Sequence, residues 1–326
     1  MVFKRVMGAF GVGGPSVDTV LASPQCRPGE HLSGEVRITA ADHDVEVQRV
    51  TLGLVARVES ERTDGEGVGT SEFHRVDVSG GFRLPARENK MIPFRLPVPW
   101  ETPVTEVYGH HLHGMTIGVR TELAIAKAVD KGDLDMVSVL PTPSQQEVLN
   151  AFSQLGFQFK NADVELGRIH GVPQQLPFYQ EIEFYPPPEY QGRINEVELT
   201  FVADPTGLAV VLEADKRGGM FHSGADAFGR FHVDHDQALH TDWATEISGW
   251  LDSTAERHSG GFHTGHDSYG HHDSHGKHGH HEEHGHRSGP GWGGAAAGVA
   301  AGVVGGMVAG EVLDEVIEEV FEEDED

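Results

Sequence analysis

Cysteine is nearly absent: Cys26 is the one thiol in 326 residues. An intrachain disulfide is therefore excluded, as is a zinc site built on two to four thiolates. Such usage fits a reducing compartment, and the expected location is cytoplasmic. Basic residues are also scarce: 24 Lys and Arg stand against 51 Asp and Glu, a formal net charge of −27. A chain this acidic has no general pull toward nucleic-acid phosphates, so no nucleic-acid partner is expected. Anionic lipid should repel it unless a local segment overrides the total. Hydrophobic residues make up 38%, low for one packed globule, so part of the chain is expected outside any core. Catalytic signatures are missing too. No GxGxxG joins a strand to a helix, and GxxxxGK[ST], HExxH and GxSxG do not occur. No enzyme is expected and no catalytic residue is assigned. The start, MVFKRVMGAFGVGG, has two basic residues and an apolar run cut by Gly11, Gly13 and Gly14. It reads as the lead-in to a strand rather than a signal peptide.

What is present is mostly short extended segments. VDTVLA, EVRITA, VEVQRVTLGLVARVE, FHRVDVSGGFRL, MIPFRLPV, MTIGVRTELAIAKAV and MVSVL carry β-branched and aromatic residues with partial alternation, separated by Pro/Gly/Asp turns. Strands at this spacing without intervening helices argue a β-sandwich. PTPSQQEVLNAFSQLGF breaks the pattern. Val148, Leu149, Phe152 and Leu155 fall at helical spacing, Ser144 with Glu147 suggests a capping box, and Gly156 suits the stop. Strands resume with FQFKNADVEL, FYQEIEFY, INEVELTFVAD, GLAVVLEADKR and GRFHVDH. TDWATEISGWLDSTAER then places Trp243, Ile247, Trp250 and Leu251 on one helical face, with Asp242 as cap. These shifts divide the chain into 1–141 (first β-sandwich), 142–156 (linker helix) and 157–257 (second β-sandwich with a terminal helix). A His/Gly-rich linker (258–290), expected to be disordered, and a Gly-zipper helix with an acidic tail (291–326) follow.

Several of these stretches resemble the bacterial sporulation-control family of the SpoOM type. They are VDTVLASPQCRPGEHLSGEVRI, FRLPVPWETPVT, VRTELAIAKAVDKGDLD, the helix with LNAFSQLGF, LPFYQEIEFYPP and INEVELTF. VRTELAIAKAVDKGDLD and PFYQEIEF are the most specific. The resemblance implies an arrestin-like fold of two tandem β-sandwiches, and a non-enzymatic regulatory or adaptor role in development that works through protein partners. It offers no catalytic motif to carry over, and it does not extend past about residue 236.

Three smaller constellations read as ordinary structure. VDKGDLD, with Asp130, Asp133 and Asp135, lacks calcium-loop spacing and reads as a turn. YGHHLHG (His110, His111, His113) and HVDHD (His232, His235) read as loops, since two imidazoles rarely complete a metal site.

The tract from 258 is different. Its spacings are redundant: His271, His272, His275, His278, His280, His281, His284 and His286 recur among Gly, Ser, Asp and Glu. A flexible chain can gather such imidazoles around Zn²⁺, Ni²⁺ or Cu²⁺. A metal-binding or metal-buffering protein is therefore the alternative function, against a plain solvated linker. The tract also gains charge below about pH 6.5 and could then pair with the acidic end, Glu311 to Asp326. Between the two, Gly294, Gly298, Gly302, Gly306 and Gly310 recur every four residues. On a helix they line one face, as in small-xxx-small packing. At 1.5 Å per residue that segment is about 25 Å long, the lower edge for spanning a bilayer. Self-association or partner binding through 294–320, weak peripheral membrane association, and a low-complexity tail all remain open. For the tract itself, titrating Zn²⁺ or Ni²⁺ into the full chain should release binding heat that residues 1–257 do not. Equal heats from both would remove the metal role from the tract.

Overall fold

The computed structural model describes residues 14–62, 65–126, 131–215 and 227–259. The lead-in 1–13 and everything past 259 lie outside the described residues. The first half contains β1 (Ser16–Leu21), β2 (Gln25–Cys26), β3 (His31–Thr39), β4 (Val45–Arg62), β5 (Gly65–Ser79), β6 (Phe82–Leu84) and β7 (Asn89–Pro97). It continues with β8 (Glu106–Val107), β9 (His110–His111), β10 (Ile117–Ile125), β11 (Lys131–Met136) and β12 (Ser138–Val139). After α1 (Pro143–Leu155) come β13 (Gln158–Leu166), β14 (Phe178–Tyr185), β15 (Glu196–Ala203), β16 (Gly207–Asp215) and β17 (Ala227–Asp234). Two helices, α2 (His235–Ala238) and α3 (Trp243–Ser259), close the described chain.

The mainly β class expected from alternation is what the chain adopts. In the first half, an antiparallel sheet β1-β3-β7 faces β11-β10-β4, with β5 and β6 also pairing on β4. Alternation puts Val36 and Ile38 of β3, and Leu52, Leu54, Ile117 and Val119 of the opposite sheet, into one buried core. The sequence pattern does not reveal that this second sheet continues into the other half. Among the described residues it runs β11-β10-β4-β13-β14-β15-β16-β17. The seam is a short parallel pairing of β4 with β13, at Glu59 and Glu165.

In the second half, α1 and α3 supply the layer over the sheet's inner face. Val148, Leu149, Ala151 and Phe152 of α1 are buried. Phe152 meets Phe157 at 4.3 Å and Phe184 of β14 at 4.7 Å between ring centroids. From α3, Trp243, Ile247, Trp250, Leu251 and Ala255 are buried, and Trp243 packs edge-on against Phe231 of β17. The predicted stripes on both helices are thus the packed ones.

The cap of α1 corrects the reading of Ser144. The N-cap is Thr142, whose side chain and that of Gln145 form the capping box, and Pro143 takes the first turn, where its missing N–H costs nothing. Ser144 is buried and its hydroxyl lies 2.9 Å from His235 Nδ1. Gly156 ends the helix in the left-handed conformation, φ 86°. Asp242 does cap α3, accepting from Thr245 N at 3.1 Å. KGDLDM is likewise a strand rather than a turn: β11 pairs with β10 from Lys131 to Met136, while Asp130 lies outside the described residues. Asp133 reaches β1 and accepts from Thr19 N at 2.7 Å. Gly and Asp disguise an edge strand here, because an edge needs only half its ladder satisfied.

The halves are joined by side chains as well as by β4 and β13. Phe73 of β5 packs edge-on against Phe178 of β14 at 5.5 Å. The buried Gln180 amide accepts from Val104 N at 2.8 Å and donates to Val104 O at 2.7 Å, mimicking a strand pair. His235 stacks on Trp100.

Two substitutions test this packing. Phe152→Ala should cost roughly 3–5 kcal/mol in chemical denaturation, and Thr142→Ala about 1 kcal/mol. A near-neutral Phe152→Ala would contradict the placement of α1 as a core layer.

Candidate functional site

None of the eight tract histidines or five zipper glycines falls within the described residues, so their roles stay expectations. Among the described residues, no group of three His, Cys, Asp or Glu is arranged to hold a metal ion. The histidines that can be placed are scattered. His110 and His111 are exposed on β9, His113 Nδ1 lies 3.1 Å from Asn161 Oδ1, and His232 is exposed on β17. His235 is structural: Nε2 lies 2.8 Å from the Asp204 carbonyl oxygen, with Nδ1 toward Ser144.

The unusual chemistry lies on the outer face of the large sheet. Period-2 alternation sends Phe178, Gln180, Ile182 and Phe184 of β14 inward, and Tyr179, Glu181, Glu183 and Tyr185 outward. Register does the same across neighbours. Asp163 of β13 stands opposite Glu181, Glu183 opposite Glu198 of β15, and Glu198 opposite Glu213 of β16. Glu165 pairs with both Tyr179 and Glu59. Like charges directly opposite each other are destabilising on a sheet, yet acid meets acid across four strands.

The first half handles its outer face differently. Arg75 of β5 and Arg120 of β10 flank Gly53 of β4. A Cβ at Gly53 would come within 2.6 Å of a Glu72 carboxylate oxygen, so glycine lets Glu72 lie over β4 between the two guanidinium groups. Arg120 is 2.7 Å from Glu72 and 2.9 Å from Glu122; Arg75 bonds both as well. Burial pushes Glu122 up, and Arg75 and Arg120 more than offset it, leaving its carboxyl below the usual range. That face is charge-matched.

On the acidic face, Lys160 bridges Glu183 and Glu196. Burial opposes its charge, but the two carboxylates outweigh that and hold the ammonium protonated well above its usual range. Arg57 sits at the seam, 3.4 Å from Glu59, and Arg230 of β17 lies over Phe228. Asp163, Glu181 and Glu198 respond by keeping protons. Burial first, then Glu183, Glu165 and Glu59, push Asp163 to about 8. Burial, then Glu198 and Asp163, push Glu181 to about 9. Burial, then Glu213 and Glu196, push Glu198 to about 8. These groups share their protons as a set. Asp163 is 8% exposed, and its Oδ1 has no hydrogen-bond partner among the described residues. Tyr185 and Phe228 border the face at 49% and 47% exposure.

Sequence reasoning missed this site. Its signal was present as Asp163-x-Glu165, Glu181-x-Glu183 and Glu196-x-Glu198, three acid pairs at strand period. Each alone reads as a solvated strand face, and only register stacks them.

Comparison with known proteins adds the family context. The family described as "SpoOM protein" matches residues 3–218. Sporulation-control protein spo0M of Bacillus subtilis (strain 168) is 31% identical over 216 residues, covering 66% of this chain and 81% of that protein. The crystal structure of Spo0M from Bacillus subtilis superposes with a TM-score of 0.66 at 27% identity, over 74% of this chain and 100% of that one. All the acidic-face residues on β13 to β16 fall inside the matched region.

The acidic face predicts an inverted pH dependence. Carboxyls raised above their unfolded values of about 4 bind protons in the folded state that the unfolded chain has released. Their effect is most favourable below about pH 4 and is lost as pH rises toward 9. Glu181→Gln should therefore stabilise the fold by roughly 1–2 kcal/mol at pH 8, with little change at about pH 4. A variant destabilised at pH 8 would show that the charge is well accommodated.

Proposed function

The chain belongs to the SpoOM family, and from that premise we propose that it is a non-enzymatic adaptor in sporulation control, acting in the cytoplasm through contacts with protein partners. The relative's name supports the regulatory role, and the family covers most of the described fold. Among the described residues no helix is long and apolar enough to cross a membrane.

One observation carries the contact reading: the outer face of β13 to β16 is a built surface that folding alone does not need. Its inner face is committed to α1, α3 and the core, while its outer face concentrates charge at a cost to stability. Stability given up at a surface is most simply explained by a partner that uses it. Tyr185 and Phe228 at its borders are the residue types enriched in protein interfaces.

Photocrosslinking in the developing host tests this. A benzoyl-phenylalanine placed at Tyr185 or Phe228 should give discrete adducts heavier than the chain. The same probe at Met91, exposed on β7 of the opposite sheet, should not. Gene deletion should alter spore yield, and each probe-bearing chain should restore it. Full restoration without any adduct from Tyr185 or Phe228 would contradict the proposal.

A further inference from the structure

The acidic face has features that a merely solvated surface lacks. Asp163 is more than nine-tenths buried, yet its Oδ1 accepts no hydrogen bond among the described residues. A buried acceptor without a donor is rare and costly. It sits on β13, at one side of the face, opposite Glu181 and beside Glu183 and Glu165. The first half shows how this fold neutralises such a surface internally, with Arg75 and Arg120 between Glu72 and Glu122. On the second half the countercharges come from its margins: Lys160 on β13, Arg57 at the seam, and Arg230 on β17. A donor set that completes the face is cationic and multiple.

We propose that the outer face of β13 to β16 is the docking surface for an extended, lysine- and arginine-bearing segment of a partner protein. Spacing supports an extended segment. Acids two residues apart on one strand are about 7 Å apart, and neighbouring strands are about 4.8 Å apart. A partner strand with a cation at every second residue has the same repeat. Such a segment supplies N–H donors to Asp163 Oδ1 and ammonium or guanidinium groups to Glu181 and Glu198. Tyr185 and Phe228 offer rings for cation–π contact or for the intervening apolar groups. Docking cations there displaces the protons that those carboxyls hold, so protons are released on binding and affinity rises with pH.

This inference rests on the adaptor reading and narrows it. Its test uses the full chain and a fluorescein-labelled peptide of alternating Lys and Thr, followed by anisotropy at pH 6 and pH 8. The peptide should bind at pH 8 and at least fivefold more weakly at pH 6. The double variant Glu181→Gln, Glu198→Gln should bind at least tenfold more weakly at pH 8 while its melting temperature shows it folded. Asp42→Asn with Glu88→Gln, the same charge change on remote turns, should bind within twofold of the unaltered chain. Equal loss in both double variants, no binding by the unaltered chain, or affinity that does not rise with pH would overturn the proposal. So would spermine displacing the peptide at equal charge concentration, which would reassign the face to small polycations. So too would binding that appears only when 260–326 is removed, which would assign the face to the chain's own tail. If the face variant loses the peptide yet restores spore yield, the adaptor reading stands and this surface is not its means.

Discussion

The register of four neighbouring strands, which sets acid against acid from Asp163 to Glu213, is the constraint on which the second half of this molecule turns. A side-chain period of two leaves no freedom once the core face is chosen. Phe178, Ile182 and Phe184 must point inward, so Glu181 and Glu183 must point outward, and pairing then fixes which acids face them. The repulsion is relieved by protons and by Lys160 rather than by arginines. Nothing in the inner packing requires that choice: the same sheet carries a charge-matched face on β4, β5 and β10.

The sheet thereby divides its labour. Its inner side holds the core and is backed by α1 and α3, which fix the strands in place. The Gln180 amide, the Phe73–Phe178 contact and the Trp100–His235 stack tie the halves together at the seam. Those ties hold the acidic face on a continuous platform. A surface whose charges must stay at fixed spacings to be recognised needs such a platform.

Much of this was legible in the sequence. Alternation located the strands, and helical spacing at Val148 to Leu155 and Trp243 to Leu251 picked out the buried stripes. The errors have physical causes. Ser144 was a plausible cap, but Thr142 precedes a proline at the first helical turn, and the serine hydroxyl was needed by His235. KGDLDM had the composition of a turn, yet an edge strand tolerates Gly and Asp. Register and sheet continuity are long-range facts that composition does not encode. The i, i+2 acid pairs were visible, but their stacking was not. The histidine tract drew attention because its signal is local. The acidic face escaped it because its signal is distributed over some fifty residues of chain, from Asp163 to Glu213.

The central claim is that this face holds protons at neutral pH because folding buries its carboxyls and crowds them together. The most direct measurement is a carbon-detected NMR titration of the side-chain carboxyls of Asp163, Glu181 and Glu198 in the folded protein. The account predicts apparent midpoints near 8 to 9 for this set. All three titrating near the ordinary carboxylate value of about 4 would contradict it.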